Sequence, residues 1–268
     1  DLVIILGLGK IFGIDLFTNS IYSKFKVASF FGDNIDQRPN PNIVKNILST
    51  QLKKITYRLA IKYSHSFFLN LPETSQHVLK LVNPKFHDNF KNNSFFLPLG
   101  YASDKYFFDK RIRYHSRKAL NIKEDEFVIV TSTRIKEYKN LKKIINLVSG
   151  LRDNGYKVRY IMIGFSNDDY SNYLMNYVNN LKNKEIFNCF PFSNDKFINE
   201  IYCASDVGIW TNCAISIQES MGTGLLLFLE NKSSLNYLVE EKVNGFLWSN
   251  HSFDKELEDL SYKIINKN

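Results

Sequence analysis

Two cations follow an apolar run. Phe127 to Ser132 reads as a buried strand, and Thr133-Arg134-Ile135-Lys136-Glu137-Tyr138-Lys139-Asn140 comes after it, so Arg134 and Lys139 flank a strand-to-helix turn. A guanidinium and an ammonium at the carboxyl end of a strand suit a diphosphate, whose charge they neutralise together. Far along the chain, Asp206 to Trp210 reads as another strand. It leads through Thr211-Asn212-Cys213-Ala214 into a helix beginning near Ile215 and Ser216, whose opening amides are unpaired and attract phosphate. One turn in stands Glu219, a carboxylate able to accept hydrogen bonds from ribose hydroxyls.

Each group also has an ordinary structural explanation. Ser216-Ile217-Gln218-Glu219 spells a capping box, which would occupy both polar side chains within the helix itself. Arg134 and Lys139 could be solvated charges at a helix start. What favours the chemical reading is that both groups fall at carboxyl ends of strands in one sheet, where parallel sheets hold their ligands.

Hydrophobic periodicity supplies the elements that must position these residues. In the first hundred residues, Leu2 to Leu6, Phe25 to Phe31, Ser66 to Leu71 and Ser94 to Leu97 read as strands separated by helical patterns, which implies a parallel sheet. Pro98 and Gly100 end that pattern, and a charged, irregular stretch from Ser103 to Lys118 follows. Beyond it the alternation resumes. Strands are expected at Phe127 to Ser132, Lys157 to Gly164, Ile186 to Phe190, Asp206 to Trp210, Leu225 to Leu229 and Gly245 to Trp248. Helices are expected at Asn140 to Asn154, Tyr170 to Leu181, Asp195 to Cys203, Ser216 to Met221, Ser233 to Glu240 and Ser252 to Ile265. The first of these carries Leu141, Ile144, Ile145, Val148 and Leu151 on one stripe. The expected fold class is therefore α/β, with two α/β sheets in tandem over domains 1–103 and 104–268, the second doubly wound, and a cleft between them.

Composition removes several function classes. The 268 residues carry three cysteines, Cys189, Cys203 and Cys213, in no paired spacing, which suits a reducing compartment and supports neither a disulfide framework nor a zinc ribbon. There is no Walker loop, and Gly7-Leu8-Gly9 lacks the third glycine of a dinucleotide fingerprint. The five histidines show no ligand-like spacing, so no metal site is expected. The formal charge of +8 raises nucleic acid as a partner, yet no zinc-finger, RRM or helix-turn-helix signature accompanies it, and none is expected to bind. The basic residues instead concentrate between Gln37 and Pro72, a stretch without Asp or Glu. Within it Ile43, Ile47, Leu48, Leu52, Ile55, Leu59 and Ile61 recur at helical intervals, predicting a basic amphipathic helix from Asn42 to Lys62 that could meet an anionic membrane surface. A solvated helix face is the plainer alternative.

Taken together, the strand with Arg134 and Lys139, Ser205-Asp206-Val207-Gly208-Ile209-Trp210, Ile215 to Gly224, and Val243-Asn244-Gly245-Phe246-Leu247 resemble the retaining group 1 glycosyltransferases, family 4. The Pro98-Leu99-Gly100 to Phe107 stretch resembles the segment joining that family's two domains. The resemblance implies a GT-B fold of two Rossmann-like domains, with a nucleotide-diphosphate sugar as substrate on the second, a glycan or lipid-linked acceptor on the first, and no metal or other cofactor. It assigns Arg134 and Lys139 to the donor pyrophosphate and its departure, Glu219 to the ribose, and the amides of Ser216 and Ile217, at the helix start with Ile215, to phosphate. Phe190 and Phe192 would flank the base, and Gly164 is what is left of a glycine pair after its strand. A cytoplasmic enzyme of surface polysaccharide or lipopolysaccharide assembly is the implied setting.

The sequence also departs from that pattern. The family has two glutamates separated by seven residues, and the position eight before Glu219 is Thr211, so Thr211, Asn212 or Ser216 are the candidates to replace the first carboxylate with neutral hydrogen bonds. Phe31 occupies a position that carries histidine in many members, while Asp33 remains as a catalytic acceptor-side carboxylate. The first domain has about four strands against the usual six or so, so the resemblance implies further residues before Asp1. These departures keep two alternatives in view, a non-catalytic nucleotide-sugar-binding partner and a sugar-nucleotide epimerase of the same fold.

Overall fold

The computed structural model describes residues 2–5, 26–32, 43–249, 255 and 259. By contacts the chain divides into two compact units, Asp1–Leu99 and Gly100–Asn268.

In the first unit, strands β1 (Leu2–Ile5) and β2 (Lys26–Phe31) precede helix α1 (Ile43–Tyr63) and strand β3 (Ser66–Leu69). Helices α2 (Thr74–Leu81) and α3 (His87–Asn92) then lead to β4 (Ser94–Phe96). The four strands are parallel, as the alternation of apolar runs predicts, and they lie in chain order. The core gathers around Phe31, whose ring meets Tyr57, Phe90 and Phe67 edge-on at centroid distances of 5.0, 5.5 and 6.2 Å. At 1 % exposure, Phe31 is a packing residue.

Helix α1 forms where expected, but its buried face does not follow the predicted apolar stripe. Thr56, Tyr57, Ala60 and Ile61 are buried, whereas Ile47, Leu48 and Ile55 are exposed. Tyr57 and Ala60 face the aromatic core, and Thr56 can join that face because its hydroxyl donates back to the Leu52 and Lys53 carbonyls. No helix among the described residues is long and apolar enough to cross a membrane.

The second unit opens with helix α4 (Lys110–Ala119), followed by β5 (Phe127–Ser132), α5 (Leu141–Asp153), β6 (Val158–Phe165), α6 (Asp169–Asn179) and β7 (Phe187–Pro191). After these come α7 (Asp195–Ala204), β8 (Val207–Trp210), α8 (Ile215–Gly222), β9 (Leu226–Glu230) and β10 (Gly245–Trp248). All strand pairs are parallel, in the order β10-β9-β8-β5-β6-β7. Counted from β5, this is 6-5-4-1-2-3, the doubly wound Rossmann order, with the topological switch between β5 and β8. The predicted stripe of α5 is its buried face, Leu141, Ile144, Ile145, Val148 and Leu151 all being at most 3 % exposed.

Two local expectations are corrected. The stretch Ser103 to Lys118 is not irregular throughout, because Asp109 caps α4 by accepting from the amides of Arg111 (2.6 Å) and Ile112 (3.2 Å). Its charges are structural: Arg113 pairs with Asp206 at 2.6 Å, and Arg117 donates to the carbonyls of Ala204, Lys123 and Glu126. Asp206 in turn accepts from the Val128 amide at 2.7 Å, which fastens α4 to the neighbouring strands β5 and β8. Ser233 to Glu240 is not a helix but a single 3-10 turn, Asn236–Leu238. The Asn244 side chain donates to the Leu238 carbonyl and accepts from the Glu240 amide, closing the segment as a loop. The terminal helix expected from Ser252 to Ile265 lies outside the described residues, apart from isolated positions.

Candidate functional site

At the switch point, the chain leaving β5 turns to one side of the sheet and the chain leaving β8 to the other, which opens a crevice at their carboxyl ends. The crevice measures ≈ 350 Å³. From the β5 side it is lined by Ser132, Arg134 and Lys139, and from the β8 side by Ala214, Ile215, Ser216 and Glu219.

The Ser132 carbonyl joins the two sides. It accepts from the Trp210 indole N–H at 3.0 Å and from the Ser216 hydroxyl, so the last residue of β5 holds both the end of β8 and the start of α8. The predicted capping box therefore does not form: Ala214 is the N-cap residue, and the Ser216 hydroxyl leaves the helix for the neighbouring strand. The amides of Ile215 and Ser216 open the helix, whereas the Ile217 amide already donates to the Ala214 carbonyl at 3.1 Å. Ile217 is fully buried, so of the expected phosphate-facing pair Ser216 alone lines the crevice, joined by the half-exposed Ile215.

The loops after β5 and β8 are bonded to each other. The Lys139 ammonium donates to the Cys213 carbonyl at 3.0 Å, the Thr211 hydroxyl to the Lys139 carbonyl at 2.6 Å, and the Asn212 amide to the Tyr138 carbonyl at 2.5 Å. Thr211 and Asn212 are buried and lie outside the crevice lining, so their polar groups shape the loop that carries Lys139. Lys139 is buried as well, while Arg134 is exposed, and among the described residues nothing holds its guanidinium.

Gly164 explains how the Arg134 loop reaches its place. Its φ is +119°, and a Cβ there would fall 1.9 Å from the Thr133 carbonyl oxygen, so the β6 end and the β5 loop cross at a distance a side chain forbids. The Thr133 amide donates to the Ile163 carbonyl (3.0 Å) and the Ile135 amide to the Gly164 carbonyl (3.4 Å) on either side of Arg134. Phe192 lines the crevice and is 74 % exposed, whereas Phe190 packs edge-on against Phe197 and is not part of the lining. Asp33 lies outside the described residues.

The crevice also has an acidic wall, whose partners were not foreseen. Glu219 is half-buried beside Tyr106 and Asp195. The Tyr106 hydroxyl donates to Asp195 at 3.0 Å, and the Lys105 ammonium pairs with the same carboxylate at 2.7 Å. Lys105 and Tyr106 hold Asp195 below the ordinary carboxylate range. Glu219 moves the other way: burial and the Asp195 charge push its carboxyl up, and the Tyr106 hydroxyl works against both. Burial, the Glu219 charge and the bond to Asp195 raise the phenol of Tyr106. Asp195 stands at the carboxyl side of β7 and opens α7, so the rule that marks Arg134 also marks this position. No spacing signal reaches Tyr106.

A cationic wall, an open helix terminus and an acidic wall thus share one crevice at the switch point of a Rossmann sheet. Solved structures share the fold. HepE from Anabaena, solved with UDP and glucose, aligns with a TM-score of 0.74 at 17% identity, over 100% of this chain and 68% of that one. A glycosyltransferase from Rickettsia africae aligns at a TM-score of 0.75 and 16% identity, over 99% and 67%. WaaG, a glycosyltransferase involved in lipopolysaccharide biosynthesis, gives 0.60 at 13% identity, over 95% and 72%. These likenesses show the GT-B type of α/β fold. No curated protein matches the chain in sequence. The family described as glycosyl transferases group 1 matches residues 113–268, which take in most of α4, the whole second sheet and every described residue of the crevice except Tyr106, and the chain belongs to that family.

Proposed function

We propose that the protein is a retaining hexosyltransferase that moves a sugar from a nucleoside diphosphate donor to a glycan or lipid-linked acceptor in surface polysaccharide or lipopolysaccharide assembly. The observation that carries this reading is the convergence of Arg134, Lys139 and the opening of α8 on one crevice. As the bond between sugar and diphosphate breaks, negative charge grows on the leaving phosphate. A fixed ammonium, a guanidinium and helix-end amides stabilise that charge without reorganising. Glu219 accepts from the ribose hydroxyls, and Phe192 covers one face of the base. HepE was solved with UDP-glucose, which supports a uridine donor as the first to test.

Calorimetric titration with UDP, GDP, ADP and CMP and their sugar conjugates tests donor binding, and release of nucleoside diphosphate tests turnover. Binding with release above background is expected. Absence of binding by every nucleotide would overturn the reading. Binding without release would instead favour a nucleotide-sugar-binding partner, a reading that Thr211 supports by standing where the family has its first glutamate.

We also propose a peripheral membrane contact through α1 on the cytoplasmic face. Exposed Ile47, Leu48 and Ile55 beside Lys54 and Arg58 support it. Binding to vesicles rich in anionic lipid should exceed binding to neutral vesicles at low salt, and equal binding would refute the contact.

A further inference from the structure

The acidic end of the crevice contains more apparatus than a single ribose acceptor needs. Glu219 comes from α8, Asp195 from the first turn of α7, and Tyr106 and Lys105 from the segment ahead of α4. Lys105 bonds Asp195, and Asp195 bonds the Tyr106 hydroxyl, which stands beside Glu219. Tyr106 is 4 % exposed, and its hydroxyl has one proton to offer two carboxylates. A phenylalanine would fill the same space, so packing alone does not call for that hydroxyl.

We propose that Tyr106 is a positioning residue: together with Asp195 and Lys105 it forms a hydrogen-bonded brace that fixes the Glu219 carboxylate as the acceptor for a vicinal diol on the bound nucleotide. The proposal rests on the nucleoside diphosphate reading given above. The charged and titratable groups around Glu219 are Tyr106, and Asp195 and Tyr202 on α7, with Lys105 bonded to Asp195 and Arg134, Tyr138, Lys139 and Cys213 elsewhere on the crevice wall. Of these, Asp195 opposes ionisation of Glu219 and the Tyr106 hydroxyl favours it. Two conservative variants should therefore act in opposite directions.

The test is calorimetric titration of the full chain with UDP, GDP and ADP between about pH 5 and about pH 8, continued with whichever binds tightest and its 2′-deoxy analogue. In the unaltered protein, affinity falls on acidification as Glu219 takes up a proton. Tyr106→Phe should weaken binding at neutral pH by roughly three- to tenfold and move the acid fall to higher pH, because the hydroxyl no longer favours the carboxylate. Asp195→Asn should move the acid fall to lower pH, because the opposing charge is gone and the phenol is free to donate to Glu219. The penalty of Tyr106→Phe should shrink with the 2′-deoxy nucleotide, which lacks the diol. Thermal melting of each variant separates these effects from loss of fold. Unchanged binding by Tyr106→Phe, or movement of both acid limbs in the same direction, overturns the brace and leaves the nucleotide reading standing. If the unaltered protein binds none of the three nucleotides, both fall together.

Discussion

The two ends of the crevice are built by different means. The cationic end comes from one short segment, Thr133 to Lys139, fastened to the β8 loop largely through backbone carbonyls. The acidic end is assembled from side chains distant in sequence, Tyr106 and Asp195 being 89 positions apart. A segment bonded through its backbone holds charge in a fixed place, as stabilising a leaving group requires. A chain of side-chain hydrogen bonds holds an acceptor whose strength varies with pH and partner. On the proposed function, the difference assigns the bond-breaking step to the first end and the hold on the donor to the second.

That division can be broken experimentally. The largest effect is expected for Lys139→Ala, which removes a buried cation and its bond to the Cys213 carbonyl: turnover should fall about 10³-fold, and the melting temperature should drop as well. Arg134→Ala should cost about 10²-fold in kcat with melting unchanged, since nothing described leans on its side chain. Should either variant alter donor KM and spare kcat, the assignment of the cationic end to bond breaking fails. Gly164→Ala sharpens the comparison by disturbing the backbone under the cationic end while leaving every charge in place. It should destabilise the protein by about 2 kcal/mol and lower kcat with it, read by denaturant melts and initial rates. Glu219→Gln should raise donor KM about tenfold with a smaller change in kcat, and it should abolish the acid decline in affinity. In the unaltered protein, that decline begins at a higher pH than an ordinary glutamate would give, because burial and Asp195 favour the protonated carboxyl.

The same contrast explains what could be read from the sequence. Strand and helix periods are local, so the order of strands from Phe127 to Trp248 and the stripe of α5 are legible, and with them the turn carrying Arg134 and Lys139, although Ser233 to Glu240 reads as a helix it does not form. Ser216 misleads because its S-x-x-E spacing is also local, yet the hydroxyl finds a better acceptor on β5, which adjoins β8 only once the sheet has formed. Thr211 and Asn212 suggest replacements for a missing carboxylate, but their roles depend on carbonyls more than 70 residues away. Arg113 and Arg117 resemble loop charges until Asp206, distant in sequence, meets them just ahead of β8. The exposed part of α1 is a related case, since one helical period accommodates either of two faces and the partner sheet decides which is covered.

The indole of Trp210 has a use beyond packing. The chain has two tryptophans, and the other, Trp248, lies on the last described strand. Changing Trp248 to phenylalanine leaves one indole emitter, tethered to the oxygen that also anchors the start of α8. Occupancy of the crevice then becomes readable as a shift in intrinsic fluorescence, without dye, label or coupled assay.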